Sequence, residues 1–304
     1  MNRALRIGTR DSALALWQAK TLQERLLELG ISAELIPIKS QGDLNLEQPL
    51  YAMGITGIFT KTLDIALLNK DIDIAIHSMK DVPTKLPKGI VQAAVLERGP
   101  VRDIIVWKNA MAKAKEAKTI ATGSLRRKAQ WGMQNPQDKI VPLRGNIQTR
   151  LKKLQEEDWD GAIFAEAALH RLEIKEEIIE PLDQLLPAPA QGALMVVCRL
   201  EDEGIAQQLT LLNDREAEIC TQVERDFLST LEGGCTAPIG AYAYCEDDTI
   251  HFSGGLYSLK GSPSQKIKKS FPKKEALQMG AILAQELLQQ GGEALMKEFK
   301  KGHA

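Results

Sequence analysis

A cysteine in an unusual setting is the first candidate for chemistry. Cys235 lies in the stretch LEGGCTAPIG, residues 231–240. Gly233 and Gly234 allow the backbone to turn sharply and to approach another group closely, and Pro238 stiffens the exit. These neighbours set the thiol apart from the other three cysteines, which we expect to be small buried hydrophobic residues. A Gly-Gly helix stop with an incidental thiol explains the local pattern equally well.

The motif HSMKDVP, residues 77–83, is the second candidate. It follows the predicted buried strand IDIAI, so it lies at the carboxyl end of a strand, where ligands bind in open α/β sheets. Asp81, between Lys80 and the Val82-Pro83 pair, would be held in a constrained turn. A carboxylate there could stabilise a cationic intermediate or move a proton. The alternative is a turn aspartate that accepts a hydrogen bond from its own backbone.

Arginines recur where predicted strands end and the next helices begin. Backbone N–H groups at a helix start, hydroxyl groups and guanidinium forks together form anion sites. Any one arginine could be an ordinary surface residue, but their recurrence predicts a cleft for a ligand with several carboxylates or phosphates. Neither a G-x-x-x-x-G-K-[ST] loop nor a G-x-G-x-x-G motif follows a strand, and a polycarboxylate fits guanidinium geometry equally well. The arginines are Arg10, Arg126, Arg127, Arg144, Arg150 and Arg171.

Alternating strands and helices must position these side chains. Ser12 can cap a helix that ends at Gly30, and the polar, alanine-rich segment 108–118 predicts a surface helix. This rhythm predicts two successive α/β units with mostly parallel sheets. The predicted strands are 4–8, 33–38, 72–76 and 90–96 in the first unit, and 104–107, 119–121, 140–143 and 162–165 in the second.

The last third of the chain has a different pattern. A long helix at 214–231 precedes three extended segments, and a closing helix at 274–290 is stopped by Gly291. This order predicts a small α+β domain with a three-stranded antiparallel sheet, and Cys235 lies at its entrance. The three extended segments are 239–245, 249–257 and 265–271.

Composition excludes several classes of protein. The 304 residues include 39 Lys and Arg against 40 Asp and Glu, which argues against a general nucleic-acid binder. No apolar run approaches the roughly 20 residues that span a bilayer. No C-x-x-C pair occurs and the histidines are scattered, so we expect neither a metal site nor a disulfide framework. The chain should be soluble and cytoplasmic.

Several segments together resemble the porphobilinogen deaminase (hydroxymethylbilane synthase) family. LRIGTRDSALALWQA, HSMKDVP, SLRR, LRGNIQTRL, PAPAQGA and LEGGCTAPIG occur in that family's order and spacing, from about Leu5 to Gly291. The combination of HSMKDVP and LEGGC is highly specific. The resemblance implies a transferase of tetrapyrrole (porphyrin and heme) biosynthesis. Such an enzyme deaminates four porphobilinogen molecules, adds them stepwise to a covalent dipyrromethane cofactor, and releases hydroxymethylbilane by hydrolysis.

The resemblance also implies roles for individual residues. Cys235 would carry the dipyrromethane through a thioether. Asp81 would be catalytic, because a fixed carboxylate near the pyrrole nitrogens stabilises the cations formed when ammonia leaves and when the next ring attacks. The arginines would bind the acetate and propionate of each ring. The implied cofactor-binding residues are Lys80, Asp81, Thr122, Ser124, Arg126, Arg127, Arg144, Gly145 and Cys235; the implied substrate-binding residues are Arg10, Ser12, Phe59, Arg150, Arg171 and Gln191.

The resemblance implies a fold of three domains. Two α/β domains resembling periplasmic binding proteins would surround a cleft, and a third, α+β domain would carry the cysteine. We expect the first domain at 1–98, completed by about 190–212, the second at 99–189 and the third at 213–304. We expect a monomer whose partner is the small molecule porphobilinogen, without nucleic acid or membrane.

The sequence departs from the family pattern at several positions. Ala52 and Thr56 stand where the family has lysines, Gly123 replaces a serine of TSSLRR, and Ala190 replaces the first glycine of GQGA. We interpret these changes as tuning, because Asp81, Cys235 and the arginines are intact. The competing functions are a two-lobed clamp that binds an organic polyanion without chemistry, and a regulatory effector-binding domain. A clamp would have no use for a thiol at the entrance of a third domain.

Overall fold

The computed structural model describes residues 3–38, 60–176, 178–231 and 237–301. These residues form two compact units. The first unit contains the described residues within Met1–Asn45, Ile55–Gly99 and Gly192–Glu218. The second contains those within Pro100–Gln191 and Ile219–Ala304.

Strands and helices alternate through most of the described chain. The strands are β1 (Leu5–Thr9), β2 (Ala33–Pro37), β3 (Ile74–Ser78), β4 (Ile90–Val95), β5 (Asp103–Trp107), β6 (Thr119–Ala121), β7 (Lys139–Val141), β8 (Gly161–Ala165), β9 (Ile179–Pro181), β10 (Leu194–Arg199), β11 (Ile239–Glu246), β12 (Thr249–Tyr257) and β13 (Ser264–Pro272). The helices are α1 (Ala13–Glu28), α2 (Lys61–Leu68), α3 (Ala110–Ala114), α4 (Leu125–Gln134), α5 (Ile147–Glu156), α6 (Glu166–Arg171), α7 (Glu203–Leu209), α8 (Arg215–Thr230), α9 (Met279–Leu287) and α10 (Glu293–Lys301). Among the described helices, none combines the length and apolar character needed to cross a bilayer.

The first unit contains a mixed sheet in the order β2-β1-β3-β10-β4. β1 runs parallel to β2 and β3, whereas β10 runs antiparallel to β3 and β4. Helix α1 begins where the Ser12 hydroxyl accepts a hydrogen bond from the Ala15 N–H, and it ends at Gly30, which has φ +74°. Leu22 and Leu26 of α1 are fully buried against the sheet, which contributes roughly 1.5–3 kcal/mol each.

The second unit repeats this pattern in a sheet of order β7-β6-β8-β5-β9. β6 runs parallel to β7 and β8, and β5 runs antiparallel to β8 and β9. The continuous apolar runs of β5 and β8 are buried on both faces, as is typical of central strands in α/β proteins.

The same unit contains the antiparallel sheet β11-β12-β13. One face of this sheet packs on α8 and α9, where Phe227 meets Phe252 edge to face with ring centroids 5.1 Å apart. The predicted α/β fold with a C-terminal three-stranded antiparallel sheet is confirmed. The prediction of mostly parallel sheets is wrong, because β10 in the first sheet and β5 in the second each run antiparallel to both of their neighbours.

Several element boundaries differ from the sequence prediction, and the larger differences have a physical cause. Strand β3 covers 74–78 rather than 72–76, because the buried side chain of Asp73 binds Arg3, Arg6 and Arg199 ahead of the strand. The predicted helix 108–118 is reduced to α3, since the backbone is extended at Lys115. The predicted closing helix 274–290 begins only at Met279, and a further helix, α10, follows the turn at Gly291, which adopts φ +112°.

The cluster around Asp73 joins distant parts of the first unit. The fully buried Asp73 carboxylate accepts hydrogen bonds from Arg3 Nη1 at 2.7 Å, Arg6 Nη2 at 3.0 Å and Arg199 Nη2 at 3.2 Å. Burial alone would raise the pKa of Asp73, but its hydrogen bonds from the arginines outweigh burial and hold the pKa well below its usual range. The carboxylate therefore stays charged and ties the first residues of the chain to β10.

The segment before β10 contains a residue in a strained conformation. Ala190 has φ +60°, a left-handed conformation that costs roughly 1–2 kcal/mol for a residue with a Cβ. Its N–H donates to Oε2 of the buried Glu224 at 2.6 Å, and Oε1 of that residue accepts from the Ala243 N–H at 2.7 Å. The carboxylate of Glu224 thus joins the segment before β10 to β11 by one hydrogen bond to each.

Replacing Ala190 by glycine should stabilise the protein. Glycine adopts φ +60° without strain, so we expect Ala190→Gly to raise the free energy of unfolding by about 0.5–1 kcal/mol. The matched control is Gly192→Ala, where φ is +89° and an added Cβ should lower the same quantity. Urea unfolding measures both. A destabilised Ala190→Gly variant would contradict the strain at this position.

Strand β3 also buries a histidine. His77 is 7 % exposed, and its Nε2 has no hydrogen-bond partner among the described residues. Burial, together with the nearby charge of Arg10, lowers the pKa of His77 to about 4. The folded protein therefore keeps this imidazole neutral at a pH where the unfolded chain, with a pKa near 6.5, binds a proton.

This histidine should make the protein less stable in mild acid. Between pH 7 and pH 5 the unfolded state gains a proton that the folded state excludes, so His77 alone lowers the free energy of unfolding by about 2 kcal/mol. We expect the loss between these pH values to be smaller by about that amount in His77→Gln. Urea unfolding at both pH values provides the test. An unchanged pH dependence of stability in His77→Gln would contradict this role.

Candidate active site

In the first unit, the predicted site residues follow two neighbouring parallel strands. Arg10 follows β1, and Ser12 caps α1 directly afterwards. Lys80 and Asp81 lie in a 3₁₀ turn, Met79–Asp81, that follows β3. Since β1 and β3 pair in parallel, their carboxyl ends lie at the same edge of the sheet, and so do these four residues.

Asp81 is an exposed carboxylate on a firmly held turn. The Met79 N–H donates to the Ala193 carbonyl at 3.0 Å, and the Val82 N–H donates to the Met79 carbonyl at 3.1 Å. Met79 is fully buried, whereas Asp81 is exposed. No described residue forms a hydrogen bond or an ion pair with the Asp81 side chain. The turn presents this carboxylate to whatever binds at the edge of the sheet.

In the second unit, the loops after β6 and β7 lie against each other. Ser124 caps α4 by accepting a hydrogen bond from the Arg127 N–H at 3.4 Å, and its own N–H donates to Thr122 Oγ1 at 3.3 Å. A Cβ at Gly123 would collide with the Leu143 carbonyl oxygen. The glycine that replaces the family's serine therefore permits this close approach of the two loops.

The loop after β7 brings Arg144, Gly145 and Arg150 together. Gly145 has φ +112°, and a Cβ there would lie 2.7 Å from Thr149 Cγ2. Arg150 Nε donates to the Gly145 carbonyl at 2.7 Å. Arg144 is half-buried, and burial lowers the pKa of its guanidinium.

Arg171 ends α6, the helix that follows β8. Its side chain is buried, and burial lowers its pKa to about 10. The guanidinium therefore still carries its charge at neutral pH. The loops after β6, β7 and β8 all leave the same edge of the sheet, because the three strands run parallel.

Asp103, at the start of β5, is the residue that sequence reasoning missed. Its Oδ2 accepts a hydrogen bond from Arg126 Nη1 at 2.6 Å. Its Oδ1 accepts from Arg127 Nη2 at 2.8 Å and from Gln191 Nε2 at 2.9 Å. Three predicted site residues thus meet at one carboxylate. The available signal was a charged residue opening the apolar strand DIIVW, because a buried charge must be paired.

The guanidiniums of Arg126 and Arg127 make the surroundings of Asp103 favourable for negatively charged groups. Burial alone would raise its pKa, but the guanidiniums of Arg126 and Arg127 outweigh burial and hold the pKa well below its usual range. Arg127 Nη1 also donates to the Ile163 carbonyl at 2.9 Å. Arg126 Nε, by contrast, is buried without a hydrogen-bond partner among the described residues. A buried guanidinium donor suits a carboxylate ligand, so these residues fit the carboxylate-bearing dipyrromethane.

Six positions discussed above lie outside the described residues: Ala52, Thr56, Phe59, Gly233, Gly234 and Cys235. Within the described ranges, Cys198 and Cys220 are buried, Cys245 is half-buried, and none of the three forms a disulfide. Within those ranges, no group of three or more His, Cys, Asp and Glu side chains has an arrangement that could hold a metal ion.

Comparison with known proteins gives matches along nearly the whole chain. The family model "Porphobilinogen deaminase, dipyromethane cofactor binding domain" matches residues 5–207, and "Porphobilinogen deaminase, C-terminal domain" matches residues 218–289. Among solved structures, the chain resembles an ancestral cationic amino acid solute binding protein, with a TM-score of 0.44 and 15% identity over 69% of this chain and 87% of that one.

Curated relatives match from end to end. The porphobilinogen deaminase of Chloroherpeton thalassium is 38% identical over 316 aligned residues, covering 100% of both chains. That of Syntrophotalea carbinolica is 40% identical and covers 96% of this chain and 95% of its own. That of Syntrophomonas wolfei is 40% identical and covers 98% of this chain and 100% of its own. With both family domains present in order, this chain belongs to the porphobilinogen deaminase family.

Proposed function

We propose that this protein is a transferase that deaminates porphobilinogen and joins four molecules of it, one at a time, to a covalently held dipyrromethane primer. Hydrolysis then releases hydroxymethylbilane, an intermediate of tetrapyrrole and heme biosynthesis. The observation that carries this proposal is the Arg126 Nε donor, which is buried without a partner among the described residues. Arg126 belongs to the helix that follows β6, at the same sheet edge as the other predicted anion-binding residues of the second unit. Such a donor is suited to a ligand carboxylate.

The side chains of the second unit can bind a row of carboxylates. Each pyrrole ring carries an acetate and a propionate side chain, and guanidinium groups bind such carboxylates through bidentate hydrogen bonds. Burial of Arg144 and Arg171 disfavours their charged forms, so a ligand carboxylate beside them gains more than it would in water. We assign cofactor binding to Lys80, Asp81, Thr122, Ser124, Arg126, Arg127, Arg144 and Gly145, and substrate binding to Arg10, Ser12, Phe59, Arg150, Arg171 and Gln191.

Asp81 is the proposed catalytic residue. When ammonia leaves porphobilinogen, positive charge develops on the pyrrole, and an exposed carboxylate on a fixed turn can stabilise it. The same carboxylate can accept the proton that the ring must lose after bond formation. Lys80, adjacent in the turn, favours the ionised form of a nearby carboxylate group on the ligand.

Cys235 is the proposed attachment point, by the correspondence of LEGGC with the family motif. The bound dipyrromethane supplies the pyrrole end to which new rings are added. The glycines before Cys235 leave room beside the sulfur for a bulky group. Because Ala52 and Thr56 replace lysines, the carboxylates of the substrate would be bound by the arginines.

We also propose the domain division 1–98 with about 190–212, 99–189 and 213–304, because each division contains one of the three sheets.

The formal net charge of −1 supports a small-molecule substrate rather than nucleic acid. Cys198, Cys220 and Cys245 form no disulfide within the described part of the chain, which suits the reducing cytoplasm. A monomer suffices for this function, since every assigned residue belongs to one chain.

Removing the Asp81 carboxylate should abolish most activity without unfolding the protein. We expect Asp81→Ala to reduce porphobilinogen turnover by at least ~100-fold, because one preorganised electrostatic group contributes about that much or more. Its melting temperature should match the parent's, since the side chain is exposed. Asp71→Ala, an exposed aspartate at the other end of β3, is the matched control and should retain full turnover. Near-normal turnover by Asp81→Ala would remove Asp81 from the mechanism.

Cys235→Ser should yield protein without the added cofactor mass. A hydroxyl is a far weaker nucleophile than a thiolate, so no thioether substitute should form. Intact-mass measurement should show two pyrrole units on the parent and on the control Cys245→Ser, and the bare polypeptide for Cys235→Ser. A bare polypeptide mass for the parent, from a host that makes porphobilinogen, would favour a binding protein without chemistry.

A further inference from the structure

Arg126 depends on very few partners inside the protein. Both of its hydrogen bonds come from Nη1, one to Asp103 Oδ2 and one to the Leu186 carbonyl at 2.7 Å. Its side chain is 4 % exposed, and its Nε has no partner among the described residues. A guanidinium does not lose its proton in a protein, so burial cannot be relieved by neutralisation. Asp103 is the anion that makes this burial tolerable.

The single charge of Asp103 is divided between two cations. Arg127 contacts Oδ1 through Nε at 3.0 Å and Nη2 at 2.8 Å, while Arg126 contacts Oδ2. A further carboxylate beside Arg126 Nε would therefore meet a guanidinium that is only partly compensated. Asp103 and a ligand carboxylate would then both compensate the positive charge of the Arg126 guanidinium.

The proposed function fixes an order of events at this cluster. The dipyrromethane consists of the protein's own substrate and is attached to a cysteine of the same chain, so folding must come before attachment. At that stage Arg126 is already buried but has no ligand carboxylate. We propose that Asp103 is a positioning residue, the internal counter-ion that allows the Arg126 region to fold before the cofactor is attached. This inference rests on the proposed function.

Asp73 of the first unit provides a matched control. It is an equally buried aspartate bound to arginines, but Arg3 and Arg6 remain partly exposed to water. It also precedes β3, at the end of the strand opposite to Lys80 and Asp81. Replacing Asp73 should therefore weaken the fold to the same extent with and without the cofactor.

A double-mutant cycle on the full chain tests the proposal. Asp103→Asn and Asp73→Asn are each made in the cofactor-bearing parent and in Cys235→Ser, and melting temperatures are measured. We expect Asp103→Asn to lower the melting temperature by at least about 5 °C more in Cys235→Ser than in the parent, because the cofactor's carboxylates replace the missing charge. Asp73→Asn should give equal losses in both backgrounds.

Citrate serves as a probe that does not depend on turnover. As a small tricarboxylate, it should raise the melting temperature of the Asp103→Asn/Cys235→Ser protein more than that of Cys235→Ser alone. If the double variant does not accumulate as folded protein, adding Arg126→Gln should restore folding by removing the unbalanced charge. Failure of that triple variant to fold would overturn the proposal.

Other outcomes are equally decisive. The melting comparison uses Asp103→Asn protein whose intact mass shows the cofactor; where that variant lacks it, the citrate comparison decides. Equal losses from Asp103→Asn with and without the cofactor would mean that the residue is merely structural, and a larger loss with the cofactor would mean that it orients Arg126 for the ligand instead. Either result overturns the counter-ion role. If the parent carries no added mass, the proposed function fails, whereas the citrate comparison still tests Asp103 by itself.

Discussion

A buried carboxylate that must be paired organises each unit of this protein. In the first unit, Asp73 draws together Arg3, Arg6 and Arg199 from the two ends of the unit's sequence. In the second, Asp103 draws together Arg126, Arg127 and Gln191. An ionised carboxylate removed from water is tolerated only with such partners, so the position of each aspartate dictates where the arginines point. The difference between the two clusters is their location: that of Asp73 precedes a strand, whereas that of Asp103 lies where β8 ends.

The site edge of the second sheet is built by backbone constraints as much as by side chains. Gly123 has no Cβ to collide with the Leu143 carbonyl oxygen. Gly145 has a positive φ, and its carbonyl accepts a hydrogen bond from Arg150 Nε. At Ala190, where the family has glycine, the same kind of conformation persists in a residue with a Cβ. Glu224 holds it by accepting a hydrogen bond from its N–H, so strain at one position is offset by a buried contact elsewhere.

Local patterns predicted much of this architecture. The alternation of apolar strands and capped helices gave the order of elements, and Ser12 and Ser124 cap helices as their positions before apolar-periodic segments indicate. The partners of Asp103 and Glu224 could not be identified in this way, because they are remote in sequence: Gln191 lies 88 residues from Asp103, and Ala190 lies 34 residues from Glu224. The division of roles between Arg126 and Arg127 was equally hidden, since two adjacent arginines look alike until the acceptors around them are known.

The position of β10 has a consequence for synthesis on the ribosome. This strand lies between β3 and β4 in the first sheet, yet it is translated only after every strand of the second sheet. The second sheet can therefore form first as the chain emerges. Until β10 is made, β3 and β4 have unpaired backbone groups along the edges that β10 will join. Such edges are templates for pairing with other chains. The nascent protein thus passes through a stage, which ends when Arg199 has emerged, in which these two edges are open to incorrect pairing.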